Sequence, residues 1–489
     1  MTRLSAQAVP GGRADWPGYR PEDHGVGIVH LGLGNFARAH LLAYTDTALA
    51  AEGGDWRVTG VSLRGTAVAE SLRPQDGRYT LLTQGAAPSA RVIGALAEVL
   101  AGPDAGAQAL AAMQAPGCRI VSLTVTEKGY GITSDGRLDR SHPAVRADLA
   151  QPAAPVGVIG LIVAALAGRR TAGLAALTVL SCDNLAHNGQ KLRAAVLEFA
   201  QDTGGADLAG WIASEARFPS TMVDRITPAA TAATAAIAAE LTGYEDQAAV
   251  DTEPFAQWVI EDDFCAGRPA WDLGGALFVR DVAPYEQMKL RMLNGAHSML
   301  AYSGQLSGKA FVRDVMADPA HAALVRSHLA AAAATLRGLS IDLDAYADAL
   351  AARFANPAIA HATAQIAMDG TQKLPQRITA PALEALATGT ASRPYAFALA
   401  AWLAYLLRRE ADGRLLPVDD PEAAALAAAL ASCRGAADSI AAVAALCPDI
   451  LPPALTGGAF GAALRDSLSL ILSEGMAAVI AREAAQTRI

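Results

Sequence analysis

The chain has 489 residues, more than one hydrophobic core normally serves, so two domains are expected. Hydrophobic residues make up 52% and charged residues 18%, a globular composition and not a disordered one. A net charge of −9 and a pI near 5.5 leave no basic face for nucleic acid, and five scattered cysteines with no CxxC pair read as reduced thiols of a cytoplasmic protein.

Residues 1–24 are rich in Pro and Gly, lack the apolar stretch of a signal peptide and read as an extended lead-in. A short buried strand is expected at 27–31 (GIVHL). Gly32-Leu33-Gly34-Asn35-Phe36-Ala37 follows at once, and Arg38 to Leu42 open a helix. This is GxGxxA between strand and helix. Gly32 allows a tight turn, Gly34 lets backbone approach a pyrophosphate, and Ala37 lets helix pack on strand, the helix start receiving negative charge. Asn35 and Phe36 lie within the same turn. An ordinary glycine turn is the alternative.

The next strand is expected at 56–63 (WRVTGVSL). An NAD-binding unit usually ends this strand on an acid that meets the ribose hydroxyls. Here Arg64-Gly65-Thr66-Ala67 follows instead, with Arg64 placed either to meet a 2′-phosphate or to be solvated, so NAD and NADP both remain open. Residues 119–126 (RIVSLTVT) form a β-branched strand that runs into Glu127-Lys128-Gly129-Tyr130. A carboxylate and an ammonium at a strand's C-terminal end stand where α/β folds bind ligands, or form a surface ion pair on a turn. The apolar run 156–168 is too short to span a bilayer and reads as a buried helix. A strand at 174–181 delivers Cys182-Asp183-Asn184 to the same edge. Asp183 is expected as an N-cap, and Asn184 as a turn residue or an amide donor. Residues 218–228, with Asp224 beside Arg225, read as loop, and 253–262 as a further strand.

Residues 288–297 (MKLRMLNGAH) place Lys289, Asn294 and His297 on one helix. At 3.6 residues per turn Asn294 lies roughly 140° and His297 roughly 80° around from Lys289, so all three can face one cleft. A desolvated lysine can act as a general base, an amide can meet a developing oxyanion, and a histidine can donate or accept. The plain alternative is an amphipathic helix with an exposed lysine and a satisfied core histidine. Beyond residue 303 helical periodicity dominates, with helices expected at 320–336, 343–354, 380–386, 395–409, 422–433 and 460–483. One island, 365–377 (QIAMDGTQKLPQR), carries Lys373 and Arg377 and reads either as a short charged loop that contributes to a site or as a helix end with a solvated charge cluster. No His, Cys and carboxylate spacing suggests a metal, so none is expected.

GLGNFARAH, TVTEKGY, SCDNLAHNG, MVDRITP, EPFAQWVIED, the Lys289/Asn294/His297 trio and DGTQKLP occur in this order. In these the chain resembles the mannitol dehydrogenase family, the long-chain polyol dehydrogenases. The resemblance covers roughly residues 25–380 strongly and the later helices loosely. It implies a Rossmann-type α/β domain, placed at 1–284, and a mostly α-helical substrate domain, placed at 285–489, with the site between them. It implies metal-free hydride transfer between NAD, or NADP, and a secondary alcohol of a polyol or sugar acid. It implies Lys289 as general acid/base, Asn184 and Asn294 as amides on the reacting oxygen, and Glu127 as a proton relay. His297, Asp224 and Lys373 follow as hydroxyl partners. Members that act on mannitol resemble one another in having Gly where this chain has Lys128 and Arg where it has Gln365. TEKGY and QIAMDGTQKLPQR look like the fructuronate reductase (D-mannonate oxidoreductase) branch. Extra cations, Lys128 and Arg377 with Arg291 as a third candidate, would suit a substrate carboxylate. The expected partners are a small-molecule substrate and, at most, a few copies of the same chain, with neither nucleic acid nor membrane. A non-catalytic NAD-binding regulatory protein is the reading from another class, and the intact trio speaks against it.

Overall fold

The computed structural model describes residues 1–489 except 86, 134, 411, 412, 414 and 487–489. The chain divides into two compact units, Met1–Ala283 and Pro284–Ile489.

In the first unit the strands are β1 (Val26–Leu31), β2 (Arg57–Ser62), β3 (Tyr79–Thr83), β4 (Ser89–Ile93), β5 (Leu96–Ala101), β6 (Ile120–Leu123), β7 (Thr178–Ser181), β8 (Thr221–Asp224), β9 (Val250–Thr252), β10 (Gln257–Glu261) and β11 (Leu277–Val279). Five of them form a parallel sheet in the order β5-β2-β1-β6-β7. This is the doubly wound arrangement expected of a Rossmann-type domain. Strands β1, β2, β6 and β7 are buried on both faces almost throughout, as parallel strands covered by helices must be, while edge strand β5 exposes Glu98. Alternation along β1 and β6 splits the core. Val29, Leu31, Val121 and Leu123 face the apolar helix Val158–Thr171 and the long helix Asn188–Glu215. Ile28 and Ile120 face the other way, with Leu42, Trp258 and Trp271. The 156–168 run is thus the buried helix its composition implies.

Two small sheets flank this core, β11-β10-β8 and β4-β3-β9. Residues 218–228, read from sequence as loop, contain β8, which pairs antiparallel with β10 so that Asp224 lies opposite Gln257. Four residues between Pro219 and Pro228 are too few for a periodicity to show. The strand expected at 119–126 is shorter. It ends at Leu123, because Thr126 turns the chain with φ 66° and Glu127–Gly129 forms a single 3-10 turn.

The second unit is helical, and its described residues contain no strand beyond isolated bridges at Phe311–Ala362 and Arg409–Leu415. At its centre lies Arg393–Leu406, buried at every position from Tyr395 to Leu406, as a helix that is apolar all round must be. The helix Leu343–Phe354 has the bounds expected of it. The single helix expected at 460–483 is two, Gly458–Glu474 and Met476–Gln486, broken where Gly475 takes φ 87°. The island 365–377 is helical except at 367–369, so of its two readings the helix end and not the loop matches the backbone. Gly370–Leu374 runs into a π-helical turn, Pro375–Thr379, and on into Ala380–Thr388. Pro375 is the sixth residue of this continuous run, so its missing N–H interrupts the ladder where the π turn begins.

Candidate active site

The glycine turn is held from two sides. The N–H groups of Gly32 and Leu33 both donate to the Val61 carbonyl of β2, at 2.9 and 3.0 Å. Thr124, just past β6, donates its hydroxyl to the Gly32 carbonyl at 2.8 Å. Gly32 has φ 97°, and a Cβ there would lie 2.2 Å from the Thr124 carbonyl oxygen, so no other residue fits. A Cβ at Gly34 would meet only the Gly32 carbonyl, at 3.9 Å, which leaves open backbone where a diphosphate would lie. Arg38 donates to Asn35 Oδ1 at 2.6 Å, so the Asn35 NH2 is the half left to donate outward. Phe36 stacks on His40 at 4.9 Å, and Ala37 is fully buried against the sheet. These residues fit a dinucleotide.

Under this turn lies His30, whose Nδ1 meets Ser122 Oγ and whose Nε2 meets Thr124 Oγ1, each at 2.9 Å. Burial holds its pKa down at about 4, so it is a neutral strut. At the end of β2, Arg64 is exposed, with its guanidinium beside the Gly129 turn. The helix that follows supplies an acid the sequence reading passed over, since Glu70 accepts from Thr66 Oγ1 at 2.6 Å.

Glu127 and Lys128 are both exposed, on the 3-10 turn at the C-terminal end of β6. Asn184 is exposed at the end of β7, and Asp224 is buried at the end of β8. Asp183 does not cap a helix. Its Oδ2 accepts from Val125 N at 2.9 Å and from the Tyr130 hydroxyl at 2.7 Å, while Oδ1 accepts from Thr126 N at 3.0 Å. Burial raises the Asp183 carboxyl above its ordinary value, against the pull of those bonds. Thr126, with φ 66° and ψ 157°, occupies a region used almost only by glycine, which costs about 1–3 kcal/mol and persists only where the surroundings over-determine it.

In the second unit Lys289–Asn294 is a π-helical turn, with Gly295 N–H donating to the Leu290 carbonyl five residues back. Sequence spacing implied an α-helix there. The wider turn brings Asn294, at offset +5, round toward the Lys289 side, where an α-helix would leave it roughly 140° away. His297 follows on the ordinary helix Gly295–Leu306. Lys289 is 9% exposed and His297 8%, so both have left water. The two π turns pack on each other. A Cβ at Gly295 would lie 3.0 Å from the Arg377 carbonyl and 2.8 Å from His328 Nε2.

The His297 ring stands 4.7 Å from Phe354 and 5.0 Å from His361. Burial, then His361, Arg353 and Arg377, push its pKa well below the ordinary value, so it is a neutral imidazole. Arg377 donates to Ser298 Oγ at 3.3 Å, and burial lowers its pKa to about 10. Lys373 donates to the Met368 carbonyl at 2.7 Å and lies 3.5 Å from Asp369. Arg291 leaves the set of substrate cations, because it pairs with Glu384 at 2.7 Å and with Thr335. Arg353 and His361 were not singled out from sequence. The buried stripe Tyr346, Leu350, Arg353, Phe354 carries the signal, an arginine on the core face of its helix. Among the described residues no group of three or more His, Cys, Asp and Glu could hold a metal ion, and no helix is long and apolar enough to cross a membrane.

Two family models match, the mannitol dehydrogenase Rossmann domain over residues 26–273 and the mannitol dehydrogenase C-terminal domain over residues 281–449. The chain is 43% identical over 431 residues to the D-mannonate oxidoreductase of Escherichia coli, covering 86% of this chain and 87% of that one. It is 40% identical over 412 residues to the mannitol 2-dehydrogenase of Pyrenophora tritici-repentis, covering 81% and 72%. The solved ternary complex of Pseudomonas fluorescens mannitol 2-dehydrogenase with NAD and D-mannitol superposes with a TM-score of 0.79 at 35% identity, over 99% of this chain and 100% of that one. With both domain models matched in order, over a parallel sheet followed by a helical unit, the chain belongs to the mannitol dehydrogenase family of oxidoreductases.

Proposed function

We propose that this protein is an NAD-dependent reductase of a keto sugar acid, interconverting fructuronate and D-mannonate in the cytoplasm. The observation that supports the chemistry is the π turn, in which Lys289 is buried and whose wider winding turns Asn294 toward the same side. Gly32, Gly34, Asn35, Phe36, Ala37 and Arg64 would hold the dinucleotide. Bound NAD would supply the hydride acceptor, and NADH the donor.

The residues then divide the remaining work. In oxidation Lys289, neutral, takes the proton of the substrate hydroxyl, and in reduction its ammonium returns one. The amides of Asn184 and Asn294 donate to the substrate oxygen as negative charge develops on it. Glu127, exposed to water, passes the proton between the lysine and solvent. His297 is held neutral and so meets a hydroxyl as donor or acceptor, not as a charge. Asp224 and Lys373 fix further hydroxyls.

The substrate class rests on the cations. Relatives named for mannonate and for mannitol are about equally similar, so identity does not choose between them. Lys128 is exposed beside Glu127, and Arg377 is held close to His297 through Ser298. A neutral ketose offers them no charge to meet. One charge-assisted hydrogen bond to a carboxylate is worth about 1.5–3 kcal/mol, roughly 10–150-fold in selectivity. NADH oxidation measured against fructuronate, tagaturonate and fructose tests this. Fructuronate should give the highest kcat/KM, and Lys128→Gly should narrow its lead over fructose. Equal or better efficiency on fructose and mannitol, unchanged in Lys128→Gly, would return the chain to the mannitol 2-dehydrogenase reading.

A further inference from the structure

We infer that Asp183 is a positioning residue that clamps the Glu127–Lys128 turn, through Val125, Thr126 and Tyr130, in the conformation the reaction uses. The inference rests on the reading of Glu127 as proton relay, but not on which ketose is the substrate.

Three observations converge on it. The backbone of Thr126 is the strained one. A β-branched residue with φ 66° and ψ 157° does not hold that shape unaided, and it is the residue directly before Glu127. The groups that hold it belong to one carboxylate. Asp183 receives the N–H of Val125, the N–H of Thr126 and the Tyr130 hydroxyl, three donors that bracket Glu127 and Lys128 on both sides. Tyr130 is in turn buried and shares its hydroxyl with Ser181 of β7, at 2.7 Å, so the clamp is anchored in the sheet. The segment's other side is tied to the glycine turn through Thr124, which receives Leu31 as acceptor for its N–H and Gly32 as acceptor for its hydroxyl. Residues 124–130 are therefore stretched between the nucleotide turn and Asp183. Asp183 also directly precedes Asn184, so one residue sets the origin of two groups assigned to the reaction.

Removing the carboxylate should free the turn without emptying the nucleotide turn, whose Gly32 and Leu33 N–H groups Val61 holds independently. In Asp183→Asn the amide can offer only one acceptor oxygen, so one of the N–H groups of Val125 and Thr126 faces an NH2. Glycine occupies the Thr126 conformation without strain, so Thr126→Gly should restore the turn in that background.

The test uses the full chain and whichever ketose the wild-type protein reduces fastest, so a wrong substrate assignment does not disturb it. Asp183→Asn should lower kcat by about tenfold or more, the effect of one lost charge-assisted bond, with NADH affinity within about twofold of wild type. Hydrogen exchange of the 124–130 amides should rise by a similar factor. Thr126→Gly added to Asp183→Asn should recover most of kcat, which relief of a general folding defect would not do. If Asp183→Asn does not fold, Tyr130→Phe, which removes one donor of three, is read in the same way with a smaller effect. Unchanged exchange at 124–130, unchanged kcat, or a kcat loss that Thr126→Gly fails to restore would each overturn the inference.

Discussion

The strand-end turns of the first unit and the π segment of the second hold their candidate groups by opposite means. Glu127, Lys128 and Asn184 are exposed, on short strand-end turns; the one that carries Glu127 and Lys128 is a single 3-10 turn whose flanking groups at Val125, Thr126 and Tyr130 donate to Asp183. Lys289 and His297 are buried within helix, and the backbone ladder itself, shifted by one residue, sets where they point. The proposed chemistry would account for the difference. A proton relay and a group that meets a charged substrate need water or an open approach. A lysine that must exchange its proton near neutrality needs to be taken out of water, and helix is the structure that buries backbone fully satisfied.

The largest effect should come from the buried side. If Lys289 is the acid/base, as proposed, Lys289→Ala should lower kcat by about 10²–10⁴-fold, while NADH binding, followed by fluorescence, stays near wild type. Turnover within threefold of wild type would break the comparison at its centre.

A pair of glycine variants sharpens it. Gly32→Ala puts a Cβ 2.2 Å from the Thr124 carbonyl at φ 97°, and should weaken NADH binding by about tenfold or more with kcat at saturating NADH little changed. Gly295→Ala drives a Cβ against the Arg377 carbonyl and His328, and should do the reverse, lowering kcat while leaving NADH affinity alone. If both variants move the same parameter, the two regions are not separate in function.

The effect with the least bearing on turnover is on stability. Each unit carries a fully buried histidine, His30 and His328, whose pKa burial lowers to about 4. The unfolded chain takes up these protons near pH 6.5, the folded one only near 4. Stability is therefore whole above pH 6.5 and falls as pH drops through that window, by up to about 3 kcal/mol for each histidine. Thermal unfolding between pH 7 and 4.5 should show the fall, and His328→Asn should flatten it in part. A Tm independent of pH over that range would mean that neither histidine is neutral in the folded protein.

Much of this protein is local in origin and so was legible. GxGxxA between strand and helix places the nucleotide turn because glycine's freedom at Gly32 and the smallness of Ala37 are properties of single residues. The apolar run before Arg169 and the alanine-rich stretches are helices for reasons of composition. The Lys289, Asn294 and His297 spacing pointed to one helix, and they do share one helical stretch. What the sequence could not decide is where partners come from outside the window. Residues 289–294 wind as π where Gly295 comes up against the 375–379 turn, some eighty residues on, a contact no local window contains. Thr126 holds a glycine's conformation with its N–H on Asp183, 57 residues later. Arg291 looked like a substrate cation until Glu384 and Thr335 took it up. Local propensity sets which element a stretch prefers, at tenths of a kcal/mol per residue. Long-range hydrogen bonds and close packing, at about 1 kcal/mol or more each, set its register and the direction of its side chains, and they exist only once the chain has folded.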